Sequence, residues 1–431
     1  MLKQIFKKII IYLLILESKL TLKKYKPKIV AITGNIGKTS AKDAIFTVLS
    51  SAYFVRKSEK SFNSEIGIPL TILGLPNGWS NIFVWIYNIF DGLKLIFLKN
   101  HYPKWLVLEI GADRPGDIEK ISKWLKTDIV VITHLPEIPV HVEFFKSAEE
   151  AIVEKGHIMK TLKDRGVFVV NNDDKRALTL KISVEEKKII TYGFSNNSDI
   201  VASNEKIIYE NNKPKGISFR VDYKGNSIPV NINGALGKQH IYPVLSAMAV
   251  GISQGLNIIL IARLFDEHET PQGRMKIING ISNSCIIDDS YNSSPAAAIE
   301  AINTLNNIDC GGRKIVVLGD MMELGGYSME EHIKVGKLTG EIADILITVG
   351  VRAKYIAQGA NHAGMKERNI FQCLDSESAG DKLIDIIEEG DTVLIKGSQS
   401  MRMEKVVEKI MTNPEKKYRL LVRQEEEWQN R

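Results

Sequence analysis

The residues of this chain that are best placed to do chemistry lie in one short segment, Thr33 to Ser40 (TGNIGKTS). An apolar run precedes this segment and a helix-like stretch follows it, which is the context of a phosphate-binding loop. Glycines let backbone N–H groups turn toward phosphate oxygens, Lys38 adds a cation, and the Thr39 hydroxyl can reach a magnesium ion. Ile32 stands where the general pattern has its first glycine. We therefore predict binding of ATP and Mg²⁺, with the nucleotide contacted by Gly34, Asn35, Gly37, Lys38, Thr39 and Ser40.

The composition indicates a folded chain of several domains. Its 431 residues, 44% hydrophobic and 25% charged, are enough for two or three domains with real cores. The net charge is +6, but the basic residues are not grouped with aromatic residues, so nucleic-acid binding is not predicted. The three cysteines lack CxxC spacing, which argues against a disulfide framework or a zinc site and fits a reducing cytoplasm.

Apolar runs that alternate with helical stretches predict a parallel sheet in the first half of the chain. These strand-like runs are residues 29–32, 105–109, 129–133 and 167–170. Short alternating pieces with turn signals at residues 199–232 predict antiparallel hairpins, and an apolar helix is predicted at 242–251. A second series of strands follows a hinge-like segment, at residues 285–287, 315–318, 345–349 and 392–395.

The predicted fold class is therefore α/β. A central P-loop ATPase-type domain with a parallel sheet and a small antiparallel β extension precedes a C-terminal Rossmann-like α/β domain. The predicted bounds are an N-terminal apolar and basic helix at 1–26, a central domain at 27–271, a C-terminal domain at 272–412 and a charged tail at 413–431.

Two apolar stretches, residues 1–26 and 79–98, permit two interpretations. The first is too short for a membrane span and lacks a small-residue cleavage site, so a secretory signal is not favoured. Packing of the two stretches on each other and on the core is the favoured expectation. The alternative is peripheral contact with the inner face of the membrane. In that case the lysines facing anionic lipid would be Lys3, Lys7, Lys8, Lys23 and Lys24.

Further motifs, taken in order, resemble the Mur ligase family. They are residues 63–70 (NSEIGIPL), 108–112 (LEIGA), 114–118 (RPGDI), 273–275 (GRM), 287–292 (IDDSYN), 318–325 (LGDMMELG) and 396–398 (KGS). The resemblance spans roughly residues 28 to 412, and is strongest to the member that joins D-alanyl-D-alanine to a UDP-N-acetylmuramoyl tripeptide. It implies two Mg²⁺ ions held with the help of Thr39, Glu109, His141 and Lys155.

The resemblance also implies roles for individual side chains. Lys38, His141, Lys155 and Arg274 would be catalytic, and Lys155 would carry a carbamate that turns an ammonium into an anion. Asp289 and Asn292 would contact the nucleotide after the domains close. Asn63, Glu65, Asp320, Glu323 and Lys396 would lie on the substrate side, although Asp320 and Glu323 could equally be helix-capping acids. Residues 237–243 depart from the family pattern, with Gln239, His240 and Pro243 in place of a histidine and two asparagines.

The expected activity is that of an ATP-dependent amide ligase of peptidoglycan precursor synthesis. A muramoyl tripeptide carboxylate would be phosphorylated and the resulting acyl phosphate attacked by the amine of D-alanyl-D-alanine. A cytoplasmic monomer is expected, and the family's usual N-terminal UDP-sugar-binding domain is expected to be lacking. Two alternatives remain: a ligase of different acceptor or amine specificity, similar to folylpolyglutamate or cyanophycin synthetases, and a nucleotide-binding, membrane-associated scaffold.

Overall fold

The computed structural model describes residues 2–59, 62–139, 141–181, 187–309, 311–425 and 428, with side chains from Phe6 onward. Two β-sheets organise it, one formed by strands between residues 28 and 233 and the other by strands between residues 276 and 396. Neighbouring residues of the first strand enter different cores: Val30 and Ile32 lie in one, Ile29 and Ala31 in another. Both faces of this sheet are therefore covered, as expected for a largely parallel sheet.

The strands are numbered in chain order. They are β1 (Lys28–Thr33), β2 (Val55–Lys57), β3 (Trp105–Glu109), β4 (Thr127–Ile132), β5 (Leu162–Asn171), β6 (Lys188–Gly193), β7 (Ile200–Glu210), β8 (Lys213–Tyr223), β9 (Asn226–Asn233), β10 (Lys276–Asn279), β11 (Cys285–Asp289), β12 (Lys314–Gly319), β13 (Ile345–Val349), β14 (Ile370–Cys373) and β15 (Thr392–Lys396).

The α-helices are numbered in the same way. They are α1 (Leu2–Tyr25), α2 (Lys38–Ser50), α3 (Gly67–Leu73), α4 (Ile82–Phe97), α5 (Asp117–Ser122), α6 (Ala148–Gly156), α7 (Lys175–Thr179), α8 (Ile241–Ser253), α9 (Ile258–Arg263), α10 (Pro295–Asn306), α11 (Ser328–Ile342), α12 (Lys354–His362), α13 (Ser376–Ile386), α14 (Glu404–Ile410) and α15 (Lys417–Leu420).

The first sheet brings the predicted nucleotide residues to one edge. Its strand order is β2-β3-β1-β4-β5-β6-β7-β8-β9, parallel as far as β7 and antiparallel from β7 to β9. Ile32 of β1 pairs with Glu109 of β3 on one side and with Val131 of β4 on the other. The carboxyl ends of these three central strands therefore meet, and ligands of open α/β sheets bind at such an edge.

The second sheet has the order β10-β11-β15-β12-β13-β14, with β10 antiparallel and the others parallel. The register pairs Asp289 of β11 with Lys396 of β15 at the carboxyl ends of both strands. The predicted α/β fold class, with its antiparallel extension and second α/β domain, is confirmed. Four strands lie outside the sequence prediction, namely β2, β6, β10 and β14.

The N-terminal helix packs on the central domain beside α4. Ile10 and Leu14 of α1 are buried with Leu70, Leu73 and Trp85. Glu17 lies against Gly92 of α4, and the Lys24 ammonium donates a hydrogen bond of 2.9 Å to the carbonyl of Leu95. The two helices therefore run side by side in the same direction, and their predicted packing on each other is confirmed. Within the described part of the chain, none of the helices is long and apolar enough to cross a membrane.

Candidate active site

The phosphate-loop segment lies between β1 and α2, as predicted. Gly34 and Gly37 have φ angles of +144° and +85°, which favour glycine. A Cβ on Gly34 would lie 2.0 Å from Thr133 Oγ1, because the segment after β4 runs close beside the loop. The Asn35 N–H donates to the His134 carbonyl at 2.8 Å, and the Lys38 ammonium donates to the Gly34 carbonyl at 2.9 Å. The segment that follows β4 therefore supports the loop from one side.

We expect Gly34→Ala to be more damaging than Gly37→Ala. The added Cβ at position 34 meets both an unfavourable backbone angle and Thr133, whereas the one at position 37 meets the angle alone, with no atom within 4 Å. The costs are roughly 2–4 kcal/mol for Gly34→Ala and about 1 kcal/mol for Gly37→Ala. Urea unfolding with each purified variant measures the difference. Equal costs would contradict the close approach of residue 133.

Thr39 of the loop and Glu109 of β3, two of the predicted magnesium ligands, lie next to each other. Glu109 ends β3, is buried, and accepts a hydrogen bond of 3.1 Å from the Thr39 hydroxyl. The ammonium of Lys42, also buried, lies 3.7 Å from the Glu109 carboxylate. Among the described residues, no group of three or more His, Cys, Asp or Glu side chains is arranged to hold a metal. One hydroxyl and one carboxylate still fit Mg²⁺, which takes most of its ligands from phosphate and water.

Lys155, near the end of α6, is buried next to the loop. Its side chain is 2% exposed and its Nζ atom has no hydrogen-bond partner in the described structure. Burial lowers the pKa of Lys155 to about 8; the charge of Lys38 lowers it too, while the Asp113 and Glu154 carboxylates act in the opposite direction. A buried amine without a partner, beside a second lysine, fits a group that acquires a negative charge by modification.

His141 connects a loop of the first sheet to a loop of the second. Its Nδ1 contacts the carboxylate of Glu323, which follows β12 in the second domain, and its Nε2 lies 3.5 Å from Asp113 Oδ1. The contact with His141 holds the pKa of Glu323 below its usual range, whereas burial acts in the opposite direction. Both residues have left-handed backbones, with φ of +67° for His141 and +62° for Glu323. Such conformations in non-glycine residues are found disproportionately at functional sites.

A second group surrounds the carboxyl end of β11. Lys396, 1% exposed, donates to Asp289 Oδ2 at 2.6 Å and to the carbonyl of Asn292 at 2.9 Å. The Arg274 guanidinium lies over the ring of Tyr291, 4.0 Å from its centroid. Lys396 is predicted to lie on the substrate side, yet its partners are the two residues predicted to contact the nucleotide. Its charge neutralises Asp289, so it positions that carboxylate.

The central and C-terminal groups face each other. Burial lowers the pKa of Lys38, the Glu109 carboxylate raises it, and the charge of Arg274 lowers it further. Arg274 has a similar effect on the pKa of Lys396. Lys38 therefore lies within electrostatic range of both Lys155 and Arg274, and Arg274 is contributed by the segment that links the two sheets.

His240 contacts the backbone of Arg274. It is buried, and its Nε2 lies 2.8 Å from the Arg274 carbonyl, to which the neutral ring can donate. Burial lowers the pKa of His240 to about 4. Residues 237–243, where the sequence departs from the family pattern, therefore contain a histidine that positions the hinge backbone.

We expect the neutral state of His240 to make stability pH-dependent. In the unfolded chain the histidine has a pKa near 6.5, whereas in the native state its pKa is about 4. Between these two values the unfolded state binds a proton that the native state does not bind, so the free energy of unfolding falls as the pH decreases through this window. From pH 7 to pH 5, the wild type should lose about 2 kcal/mol more than His240→Gln, which keeps a donor but does not titrate. Urea unfolding at both pH values tests this. Parallel losses would contradict it.

The predicted substrate residues separate into different places. Asn63 and Glu65 line a cavity of about 160 Å³ with Asp113 and, from α1, Lys7 and Ile11. Glu323 reaches His141, as described above. Asp320 is buried, and its Oδ1 accepts a hydrogen bond of 2.7 Å from the Ala353 N–H just before α12. For that oxygen of Asp320 the helix-capping alternative is the one observed, and this residue does not join Glu323 at His141.

Sequence reasoning missed three contributors to the site. Lys42 is one helical turn after Lys38, and its spacing on α2 was the available signal. Asp113 lies between two recognised motifs and faces His141. Arg423, in the predicted charged tail, is buried and donates to the carbonyls of Ser290 and Tyr291, so the tail packs beside the β11 group. The available signal was the run of three apolar residues, 420–422, that directly precedes it.

Fold and site together define a P-loop enzyme with two α/β sheets and a nucleotide-phosphate loop at the edge of the first sheet. Two family models match, the Mur ligase middle domain at residues 92–251 and the Mur ligase glutamate ligase domain at residues 273–399. The chain belongs to the Mur ligase family and is an ATP-dependent ligase that forms an amide bond. The family resemblance predicted from the motifs is confirmed.

Known relatives extend the match over most of the chain. The UDP-N-acetylmuramoyl-tripeptide–D-alanyl-D-alanine ligase of Bacillus subtilis is 27% identical over 398 residues, which are 92% of this chain and 79% of that protein. The MurF ligase of Thermotoga maritima, solved in complex with ADP, superposes with a TM-score of 0.75 and 24% identity over 94% of this chain and 84% of its own. MurF from Acinetobacter baumannii gives a TM-score of 0.75 and 21% identity over 91% and 78%. These structures share the fold described here.

Proposed function

We propose that this ligase joins D-alanyl-D-alanine to the carboxylate of a muramoyl tripeptide in peptidoglycan precursor synthesis. The observation that carries the proposal is the position of Lys38 at the edge of the first sheet, where its charge acts on the buried Lys155 and the charge of Arg274 acts on it. Lys38 and Arg274 are cations there, and a polyphosphate beside a carboxylate supplies their anionic partners. The identity of the substrates rests on the named activity of the similar proteins.

The chain's own residues would act in two steps. Lys38 and Arg274 would hold the terminal phosphate of ATP while an oxygen of the acceptor carboxylate attacks its phosphorus and ADP leaves. The dipeptide amine would then attack the acyl carbon, and phosphate would leave with the acceptor oxygen. The contact between His141 and Glu323 would keep the domains closed, so that water is excluded from the acyl phosphate.

The residues fit two Mg²⁺ ions and a modified lysine. Thr39 and Glu109 would hold one ion, and His141 with a carbamate on Lys155 the other; the partnerless Nζ of Lys155 is the observation that fits the modification. The ions would supply charge neutralisation between phosphate and carboxylate. Asp289 and Asn292 would contact the nucleotide, and Asn63 and Glu65 would line the acceptor side.

The proposal includes the setting of the enzyme. We place a monomer in the cytoplasm, with domains divided at residues 27–271 and 272–412, and with peripheral membrane contact through residues 1–26 and 79–98. Part of the second stretch, α4, packs beside α1 and keeps an exposed apolar side.

Product analysis tests the proposed substrates. Purified protein is incubated with ATP, Mg²⁺, a muramoyl tripeptide and D-alanyl-D-alanine, and the acceptor is examined by mass spectrometry. We expect the dipeptide adduct with the complete set alone. Free glutamate in place of the dipeptide is the comparison, because its incorporation would favour the folylpolyglutamate-like alternative. ATP binding with no product from any amine would favour a scaffold.

A further inference from the structure

Helices α1 and α4 leave a broad apolar surface uncovered. Along α1 the exposed apolar residues recur every three or four positions, which places them on one side of the helix. They are Phe6, Ile9, Tyr12, Leu16 and Leu20. Along α4 and its ends they are Trp79, Ile82, Phe83, Ile86, Tyr87, Phe90, Leu93, Phe97 and Leu98. We call these residues the α1–α4 surface.

This surface remains after each helix has packed. The opposite side of α1 is buried through Ile10 and Leu14, and α4 buries Trp85 and Gly92. The rings of Tyr12 and Phe83 are nevertheless 68% and 69% exposed. Clusters of large apolar side chains of this kind on a folded chain mark interaction sites. The α1–α4 surface is therefore not needed for the domain core, and it is available for binding.

Positive charge is concentrated around this surface. Residues 1–26 and 79–104 contain ten lysines and two acids, whereas the whole chain has 57 basic and 51 acidic residues. The remainder of the chain therefore has a slight excess of acids. Lys8, Lys19 and Lys23 of α1 are exposed.

The two acids of these stretches, Glu17 and Asp91, are not placed to repel a negatively charged partner. Glu17 is buried beside Gly92, and burial raises its pKa to about 7. Asp91 is paired with Lys94 at 2.8 Å. The lysines that flank the apolar face therefore outnumber the acids of the same two stretches, which are buried or paired. Such a face complements the interface of a bilayer, where rings enter the acyl boundary and ammonium groups reach lipid phosphates.

We propose that the α1–α4 surface docks this enzyme on a bilayer that contains anionic lipid, with both helices lying in the interface. The inference makes the membrane contact of the proposed function specific. Docking itself does not depend on which substrates are joined.

The position of α1 gives docking a consequence for the acceptor side. Lys7 and Ile11 line the cavity with Asn63, Glu65 and Asp113, and they come from the same turns as Phe6, Ile9 and Tyr12. One helix, about 10 Å across, therefore separates the docked face from the cavity. An acceptor peptide anchored in the lipid would reach the site from the bilayer without leaving it.

Co-sedimentation with vesicles tests the proposal. The full chain is mixed with extruded vesicles of equal parts phosphatidylglycerol and phosphatidylcholine, or of phosphatidylcholine alone. We expect binding to the mixed vesicles that weakens with salt, and much weaker binding to the neutral ones. Combined Phe83→Ser, Tyr87→Ser and Phe90→Ser should reduce binding to the mixed vesicles at least about tenfold, and Lys19→Gln with Lys23→Gln by a similar factor.

Matched control variants test whether loss of vesicle binding is specific to the α1–α4 surface. Val351→Ser, Leu374→Ser and Tyr418→Ser remove three exposed apolar side chains elsewhere, and Lys337→Gln with Lys366→Gln removes two exposed lysines elsewhere. Both control sets should bind like the wild type, and thermal unfolding checks that every variant is folded. Absence of binding to the mixed vesicles at low salt, or equal loss in test and control sets, overturns the proposal.

Self-association is the competing occupant of the surface. Sedimentation velocity without lipid reports it: dimers that are lost with the three α4 substitutions, combined with no vesicle binding, would assign the surface to a second copy and overturn lipid docking. The ligase assay is performed separately with water-soluble substrates. Failure of the vesicle test with intact ligase activity rejects docking alone, and vesicle binding without activity rejects the proposed substrates alone.

Discussion

Replacing Lys38 with alanine is expected to lower ligase turnover by about 10³-fold. The Lys38 ammonium is held on the loop by the Gly34 carbonyl, near Glu109 and Arg274, where it can meet the terminal phosphate of ATP. Its loss leaves the charge that develops during phosphoryl transfer without its nearest cation. Steady-state phosphate release with saturating ATP and both other substrates is the measurement.

The matched control is Lys120→Ala, which removes an exposed lysine from α5. Its turnover should equal that of the wild type. Because Lys38 makes hydrogen bonds to its own loop, unfolding by urea must show that Lys38→Ala remains folded. A folded Lys38→Ala protein that keeps more than about a tenth of wild-type turnover would remove Lys38 from the phosphate site.

The second large effect concerns Lys155. We expect ligase turnover to fall by about 10²-fold or more in Lys155→Ala, and wild-type turnover to fall in buffer depleted of carbon dioxide and to recover with bicarbonate. A pKa of about 8 leaves about one amine in ten neutral at pH 7, against about one in three thousand for an ordinary lysine. The neutral amine is the form that reacts with carbon dioxide.

The dependence on bicarbonate should have a definite direction with pH. Below the pKa the neutral fraction falls tenfold for each unit, so depletion should be most harmful at the acidic end of the range. Lys160→Ala, an exposed lysine five residues later, should behave like the wild type. Partial rescue of Lys155→Ala by acetate would support a carboxylate role. Full turnover of the wild type without carbon dioxide would contradict the carbamate.

The features that could be predicted from the sequence are those encoded locally. The phosphate loop needs glycines and a lysine at fixed spacing between a strand and a helix, and residues 33–40 have that spacing. Strand β3 is predicted with the bounds observed, because four apolar residues form an unbroken run that is followed by an acid, and all five are buried. Strands β2 and β14 have three and four residues with little alternation, so no periodic signal marks them.

The contacts that complete the site depend on tertiary structure. A buried lysine such as Lys42 on α2 is unusual, and its burial is explained only by Glu109, at the end of β3, which lies beside it. The contact of His141 with Glu323 joins two loops of different domains, and no spacing rule connects them. For Asp320, both a pocket role and a capping role fit the sequence, and the position of Ala353 shows the capping contact.

The transfer of oxygen from acceptor to phosphate tests the central claim most directly. The acceptor carboxylate is labelled with ¹⁸O, and the complete reaction is run with ATP, Mg²⁺ and the dipeptide. The released phosphate is then analysed by mass spectrometry. Phosphorylation of the carboxylate followed by amine attack predicts one labelled oxygen in each phosphate formed with product. Phosphate without label, alongside amide product, would show that the carboxylate is not activated through an acyl phosphate. It would contradict the mechanism that we derive for Lys38, Lys155 and Arg274.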